Sequence, residues 1–438
     1  MKIGIDDMAF AAPALALPIK DLAEARNIEY DKLRFGLGLK SMAVCDADED
    51  VITLASTALI HLLQQNENLD PRDIGRIYVG TESSIDGSKP IASYVHDIAN
   101  QYFNSNNQGE NSLRNCDVID MTFACIGAVD AMHNSLDYLA CNPTKTAIVI
   151  AADIANYDLG SPGEYTQGAG ATAILLKANP RLISFHSSWG VAMKSEHDFF
   201  KPVRLEVLNG EVKEMHDEKP IYDGHLSNET YKQRIEEAWE NYATDSSISE
   251  YDYLVFHLPY AYHGRRIISS LFEKDLKTSG LLEQIYQESE IDINTPNTSK
   301  QFAKSDYYKQ WVKKHVSGGE VYSSDIGNLY TASIFLSLMS TLKNNPVSHG
   351  QSVLFFAYGS GSKAKVFSGT IEPGISQVIA RWNLDRFFDE SRSISFSTYI
   401  DLRSKKVSKP IAPKKLVVQL SSGVTATNRY ERGYSIRA

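Results

Sequence analysis

The chain is poor in cysteine, with four in 438 residues, at positions 45, 116, 125 and 141. None forms a C-x-x-C pair and there is no H-E-x-x-H, so the sequence offers no metal site and, at this density, no disulfide framework. Long apolar runs are also missing, and nothing approaches the roughly 20 residues a membrane-spanning helix needs. The opening MKIGIDDMAFAAP carries acids where a secretory segment would be continuously apolar, so a cytoplasmic protein is expected. Positive charge is in deficit, with 44 Lys and Arg against 54 Asp and Glu and a net charge of −10. That excludes a general nucleic-acid binder, which needs a basic surface.

Nucleotide loops are absent despite 27 glycines. GTESSIDGSK puts six residues between Gly80 and Gly87, the wrong spacing for G-x-x-x-x-G-K-[ST]. GAGATA at Gly168 and GSGSKA at Gly359 fit a loose G-x-G-x-x-A, but each runs into a strand rather than opening the helix that a dinucleotide site requires.

What is present is alternation. Strand-like runs occur at KIGIDDMAF, RIYVGTE, DVIDMTF, TAIVIAAD and GATAILLKA, with helical periods at DVITLASTALIHLLQQN, at IASYVHDIANQYF and after Cys125. A polar, loop-rich stretch from Pro180 to Ser249 follows. Then come strand YDYLVFHLP, helices HGRRIISSLFEK and GNLYTASIFLSLMSTL, and strands SVLFFAYG and KAKVFSGTI. The pattern predicts an α/β protein with a mostly parallel buried sheet. At this length two core units are expected, residues 1–179 and 180–438. Asp275 to Lys314, charged and rich in Asn, Ser and Gln, reads as a solvated surface insertion, and SKKVSKPIAPKKLVVQL as a basic linker leading to a late strand.

In VIDMTFACIGAVDAMHNSLDYLAC the period changes at Cys125: a short apolar, β-branched run gives way to apolar residues at 126, 129, 132, 136 and 139. A thiol at the first turn of a helix feels the partial positive charge there, which lowers its pKa and suits a nucleophile. Glu82 directly follows the run RIYVGT, and a carboxylate at the end of a strand can act as a base. His257 ends YLVFH and reads as a satisfied structural residue or, with its suitable pKa, as an acid–base group. Asn328 sits in IGNLYTAS, where it reads as a helix cap. Ser360, after Gly359 in FAYGSGS, either presents backbone N–H groups to an oxyanion or closes a plain hairpin. Arg265 and Arg266 offer guanidinium groups to phosphate or, equally, form a solvated helix face.

These segments, with GIDDMAF, LAEARNI, IVIAADIANY, GEYTQGAGATAILL, DFFKP and YDGHLSNETY, resemble in order and along nearly the whole chain the hydroxymethylglutaryl-CoA synthases of the thiolase superfamily, those of bacterial mevalonate pathways most closely. The resemblance implies a five-layered αβαβα fold of two similar halves, a homodimer, and no cofactor beyond coenzyme A thioesters. It implies that Cys125 takes acetyl from acetyl-CoA, that Glu82 removes a methyl proton, and that His257 polarises acetoacetyl-CoA. By the same resemblance Asn328 helps bind the acetoacetyl group, Tyr330 and Gly359 belong to the substrate site, the N–H groups of Cys125 and Ser360 hold the thioester oxygen, and Arg265 and Arg266 meet the coenzyme. Two departures stand beside the nucleophile. Ile126 replaces the family's tyrosine, and Phe123 stands where bacterial members often have glutamate; both make the surroundings more apolar. Polyketide β-branching synthases, which take acyl groups from carrier proteins, share the chemistry, and a silent acyl-CoA-binding relative would share the fold.

Overall fold

A computed structural model describes every residue except 107, 110, 209–210, 217–218, 243–245, 293–294, 383, 413–415, 423–430 and 438. Nine strands build one sheet: β1 (Ile3–Ala11), β2 (Ile74–Gly80), β3 (Asp117–Met121), β4 (Thr146–Ile154), β5 (Ala169–Ala178), β6 (Ile183–Met193), β7 (Tyr253–Phe256), β8 (Ser352–Gly359) and β9 (Lys363–Ile371). Their order is β7-β8-β9-β6-β1-β5-β4-β2-β3. Six helices flank it: α1 (Val51–Gln65), α2 (Ile91–Ser105), α3 (Gly127–Cys141), α4 (Gly224–Tyr242), α5 (His263–Thr278) and α6 (Ser333–Asn344).

The strand order repeats. β2-β4-β5-β1 on one side corresponds to β7-β8-β9-β6 on the other, and β3 has no counterpart. The two groups of strands join only where β1 meets β6, through the pairs Gly4↔Ser184 and Ile5↔Ile183.

Side-chain alternation along each strand separates three apolar layers. Ala147, Val149 and Ala151 of β4 and Val353, Phe355 and Ala357 of β8 face a shared centre that also holds Val129 and Met132 of α3 and Phe335 and Met339 of α6. Ile148 and Ile150 turn outward to Leu54, Leu59 and Val95 of α1 and α2. Leu354 and Phe356 turn outward on the other side to Ile235 and Trp239 of α4 and Ile268 and Phe272 of α5. Helix, sheet, helix, sheet, helix is the expected five-layer order. α1 starts where Asp50 and Thr53 cap each other reciprocally, each accepting the other's backbone N–H.

Several sequence expectations are corrected. The sheet is mixed rather than mostly parallel. Only β7/β8, β4/β2 and β2/β3 run parallel, while β4/β5 and β8/β9 are antiparallel neighbours with no intervening α-helix. A strand buried on both faces is apolar throughout whichever way its neighbour runs, so direction leaves little trace in composition. The stretch Pro180 to Ser249 holds β6 and the 19-residue α4, whose burial rests on a few residues such as Tyr231, Ile235 and Trp239. Asp275 to Lys314 is no solvated insertion: helix Asp306–His315 packs Trp311 on Phe272 with ring centroids 3.9 Å apart. The late strand Val418–Ser422 pairs with Gly433–Ile436 over α1.

Candidate active site

β2 and β3 end side by side, pair in parallel and deliver Glu82 and Cys125 together. Thr81 N–H donates to the Met121 carbonyl at 3.2 Å, and Thr122 Oγ1 donates to the Thr81 carbonyl at 2.9 Å. Gly80 lets the start of α3 close in, since a Cβ there would lie 2.2 Å from the Ala128 backbone. Cys125 therefore sits on a short loop between β3 and α3, after Ala124, whose φ is +40°. A non-glycine residue in that region is strained, and such strain clusters at working sites.

The thiol of Cys125 donates to Glu82 Oε1 at 3.3 Å. Glu82 is held on its other side by Lys201, whose Nζ lies 3.3 Å from Oε2 and donates to the Glu82 carbonyl at 3.1 Å. Behind them is buried Asp153. Its Oδ1 accepts from Thr81 Oγ1, Glu82 N–H and Ser83 Oγ at 3.0, 2.8 and 2.8 Å, and its Oδ2 from the N–H and hydroxyl of Thr331. Burial raises its carboxyl to about 6, with Glu82 adding to the effect and the Thr331 bonds opposing it.

The thiol departs from the sequence expectation. Burial first, then the charges of Glu82 and Asp153, push its pKa well up, with Lys201 opposing. Cys125 precedes the helix and is only 8 % exposed, so desolvation outweighs the helix terminus. A protonated thiol can act as a nucleophile only with an acceptor for its proton, and Glu82 Oε1 is the group it touches.

Cys125, His257, Asn328, Tyr330, Ser360 and Arg266 all line one cleft of about 440 Å³, shared with Tyr157, Phe199 and Tyr222. His257 N–H donates to the Phe356 carbonyl at 3.1 Å and its own carbonyl accepts from Tyr231 Oη at 2.9 Å, which fixes the ring at the cleft wall. Its Nδ1 is buried and has no partner among the described residues. Burial lowers its pKa to about 3, against the opposing effect of a Tyr330 backbone hydrogen bond, so the imidazole is neutral at working pH. Asn328 is no helix cap. α6 begins only at Ser333, and Asn328 Oδ1 instead accepts from Tyr330 N–H at 2.9 Å while its own N–H donates to the Thr166 carbonyl at 2.8 Å.

Gly359 is a packing requirement. A Cβ there would lie 2.6 Å from the Phe123 carbonyl and 2.7 Å from Ile126 Cγ2, inside the cysteine loop. Ser360 beyond it is placed by Asp198, which accepts from Tyr358 Oη at 2.6 Å and from Gly361 N–H at 2.8 Å. Ile126 is fully buried in the central core, and the aromatic surface beside the thiol comes from Tyr157 and Tyr330. Phe123 lies under Lys363, whose Nζ is 4.0 Å from the ring centroid.

The structure does not bring Arg265 to the cleft. It forms a two-pronged pair with buried Glu320 and stacks on Tyr262, while Arg266, on the neighbouring face of α5, reaches the cleft wall. Sequence reading missed Lys201, Asp153 and Asp198, although each stands in a segment noted above, in DFFKP or in IVIAADIANY. The available signal was an acid closing an otherwise apolar strand. Among the described residues no cluster of His, Cys, Asp and Glu is arranged to hold a metal, and no helix is long and apolar enough to cross a membrane.

Comparison with known proteins agrees with this geometry. Residues 1–180 match the family model described as hydroxymethylglutaryl-coenzyme A synthase N terminal, and residues 183–435 the corresponding C-terminal model. The hydroxymethylglutaryl-CoA synthase of Enterococcus faecalis is 30% identical over 438 residues, covering 99% of this chain and 100% of that one. That of Schizosaccharomyces pombe is 28% identical, covering 99% and 98%. A solved structure, MvaS in complex with 3-hydroxy-3-methylglutaryl coenzyme A, superimposes with a TM-score of 0.82 at 27% identity, over 100% of this chain and 99% of that one. The chain thus belongs to the hydroxymethylglutaryl-CoA synthase family, acyltransferases with the thiolase fold.

Proposed function

We propose that the protein condenses acetyl-CoA with acetoacetyl-CoA and water to give hydroxymethylglutaryl-CoA and free coenzyme A, through an acetyl group carried on Cys125. The contact that carries this reading is the Cys125 thiol donating to Glu82, with Cys125 lining a cleft that also holds His257. Sγ attacks the acetyl carbonyl carbon while its proton passes to Glu82. Collapse of the tetrahedral adduct breaks the bond to coenzyme A, and the departing thiolate takes that proton. Glu82, a carboxylate again, removes a proton from the acetyl methyl, and the enolate carbon attacks the ketone carbon of acetoacetyl-CoA. His257, neutral, turns its one ring N–H from the Tyr330 carbonyl to the ketone oxygen, and the proton on Glu82 is returned to the new alkoxide. Water then cleaves the thioester and restores the thiol.

The backbone N–H groups of Cys125 and Ser360 hold the thioester oxygen as it gains charge, each such donor being worth roughly a hundredfold to a thousandfold in rate. Asn328 and Tyr330 bind the acetoacetyl group, and Arg266 meets the anionic part of coenzyme A. The work divides near residue 180, with Cys125 and Glu82 from the segment 1–179 and His257, Asn328 and Ser360 from 180–438. The protein acts as a cytoplasmic homodimer supplying a mevalonate route, with no cofactor beyond its thioester substrates.

The test is intact mass spectrometry after incubation with acetyl-CoA, followed by product identification once acetoacetyl-CoA is added. One added acetyl group, lost on condensation to hydroxymethylglutaryl-CoA, is the expected result. An unmodified protein at every pH would remove the reading.

A further inference from the structure

A second buried imidazole lies in the cleft without a task. His263, the first residue of α5, is 2 % exposed and lines the same cleft as Cys125 and His257, yet neither ring nitrogen has a hydrogen-bond partner among the described residues. Buried polar groups are almost always paired, and leaving one unpaired costs stability, so a doubly unpaired ring calls for a partner the protein does not supply. Burial keeps this ring uncharged, so one nitrogen donates and the other accepts.

Its position says where that partner lies. Tyr231 touches both imidazoles, its ring centroid being 6.1 Å from His257 and 4.7 Å from His263. On the other side Tyr260 is 4.7 Å from His263, and the Arg266 guanidinium carbon is 5.6 Å from the Tyr260 ring. His263 thus stands midway along a ladder of contacts from the acyl end of the cleft to its cationic wall. On the reading of an acyl-CoA substrate above, the part of the ligand that spans this interval is the uncharged arm between thioester and phosphates, whose polar groups are amides. An amide both accepts and donates, which matches a neutral imidazole.

We propose that His263 is a substrate-recognition residue that hydrogen-bonds an amide of the thioester's pantetheine-type arm. The proposal separates from the reading it rests on by using two small acetyl donors. S-acetyl-N-acetylcysteamine keeps the first amide, and S-butyl thioacetate lacks it. Acetylation of Cys125 by each is followed by intact mass, in the full-length protein and in His263→Met, His263→Phe and His263→Asn.

The unmodified protein is expected to favour the amide donor by about tenfold. His263→Met and His263→Phe should lose that preference by slowing only the amide donor, and His263→Asn should keep part of it. Replacing an unpaired buried ring with an apolar side chain should also leave the melting temperature equal or higher. Equal rates with both donors in the unmodified protein, or an undiminished preference in either apolar variant, would overturn the assignment to His263. So would a fall in melting temperature with no change in preference, which marks a packing residue. Failure of every thioester to acetylate the unmodified protein would instead remove the functional reading.

Discussion

Ala124 and Tyr330 occupy the same station in the two halves. Each is the third residue before the first residue of its central helix, and each holds a positive φ, 40° and 44°. The loops entering α3 and α6 are thus bent alike, and they meet at the site: Ala124 sets Cys125, and Tyr330 is packed beside it. An ordinary Ala→Gly change costs about 1 kcal/mol through chain entropy, whereas at a left-handed position glycine relieves strain of similar size. Ala124→Gly should therefore leave the melting temperature within about a degree of its starting value. A loss of several degrees would show that the loop is not strained.

Glu82 and Lys201 act on the thiol with opposite signs. Removing a negative neighbour favours thiolate, and removing a positive one disfavours it. Alkylation of Cys125 by iodoacetamide at pH 8 should be several-fold faster in Glu82→Gln and slower in Lys201→Met, with Lys201→Arg near the starting rate. Condensation should fail in Glu82→Gln despite the more reactive sulfur. Equal alkylation rates in all four proteins would show that neither charge reaches the thiol.

Arg265 and Arg266 should separate cleanly. Arg265→Met leaves Glu320 buried with its charge unpaired, a change worth roughly 3 kcal/mol of stability, and should spare the KM for acetyl-CoA. Arg266→Met should raise that KM with little thermal effect. Thermal melts and steady-state kinetics on both variants check this, and the reverse pattern would exchange their roles.

His257 gives the stability of the fold a pH dependence. Its pKa is about 3 in the folded chain against an ordinary 6.5, so between those values the unfolded chain holds more protons. Stability from this ring is complete above pH 6.5 and is lost as pH falls towards 3. Denaturant unfolding across pH 4 to 7 should therefore show a shallower slope in His257→Gln. A slope identical to that of the unmodified chain would place the titration elsewhere.

Gly359→Ala tests how closely β8 approaches the loop that carries Cys125. The new methyl would press on the Phe123 carbonyl and Ile126, and overpacking of that kind costs about 1–3 kcal/mol. Acetylation of Cys125 should fall more than the small loss of stability implies, because the loop that moves carries the sulfur. Acetylation at the original rate would mean the loop yields elsewhere.

The legible part of this protein was its strand ends. Cys125, Glu82 and His257 each follow an apolar run, so periodicity alone sets them at the edge of a sheet. Strand direction was hidden because β4, β5 and β8 are largely apolar on both faces. Lys201 stayed invisible because its segment is polar and short, and its partner lies 119 residues away. Arg265 and Arg266 are adjacent in sequence, but successive residues of a helix point about 100° apart, so only one of them meets the cleft. His263 is one of eleven histidines in the chain, and nothing in HGRRII tells an unpaired ring from a solvated one.

The seam between β1 and β6 is two residue pairs wide, so the ladder of the main sheet does little to fasten one half to the other. What chiefly fastens them is the apolar interior around α3 and α6, to which both contribute. A fragment ending near residue 180 would turn Ala147, Val149 and Ala151 towards water and should precipitate or stay unfolded. Dissection of this chain therefore cannot isolate half a reaction, because the apolar centre that closes the fold also brings the sulfur and the imidazole to a common cleft.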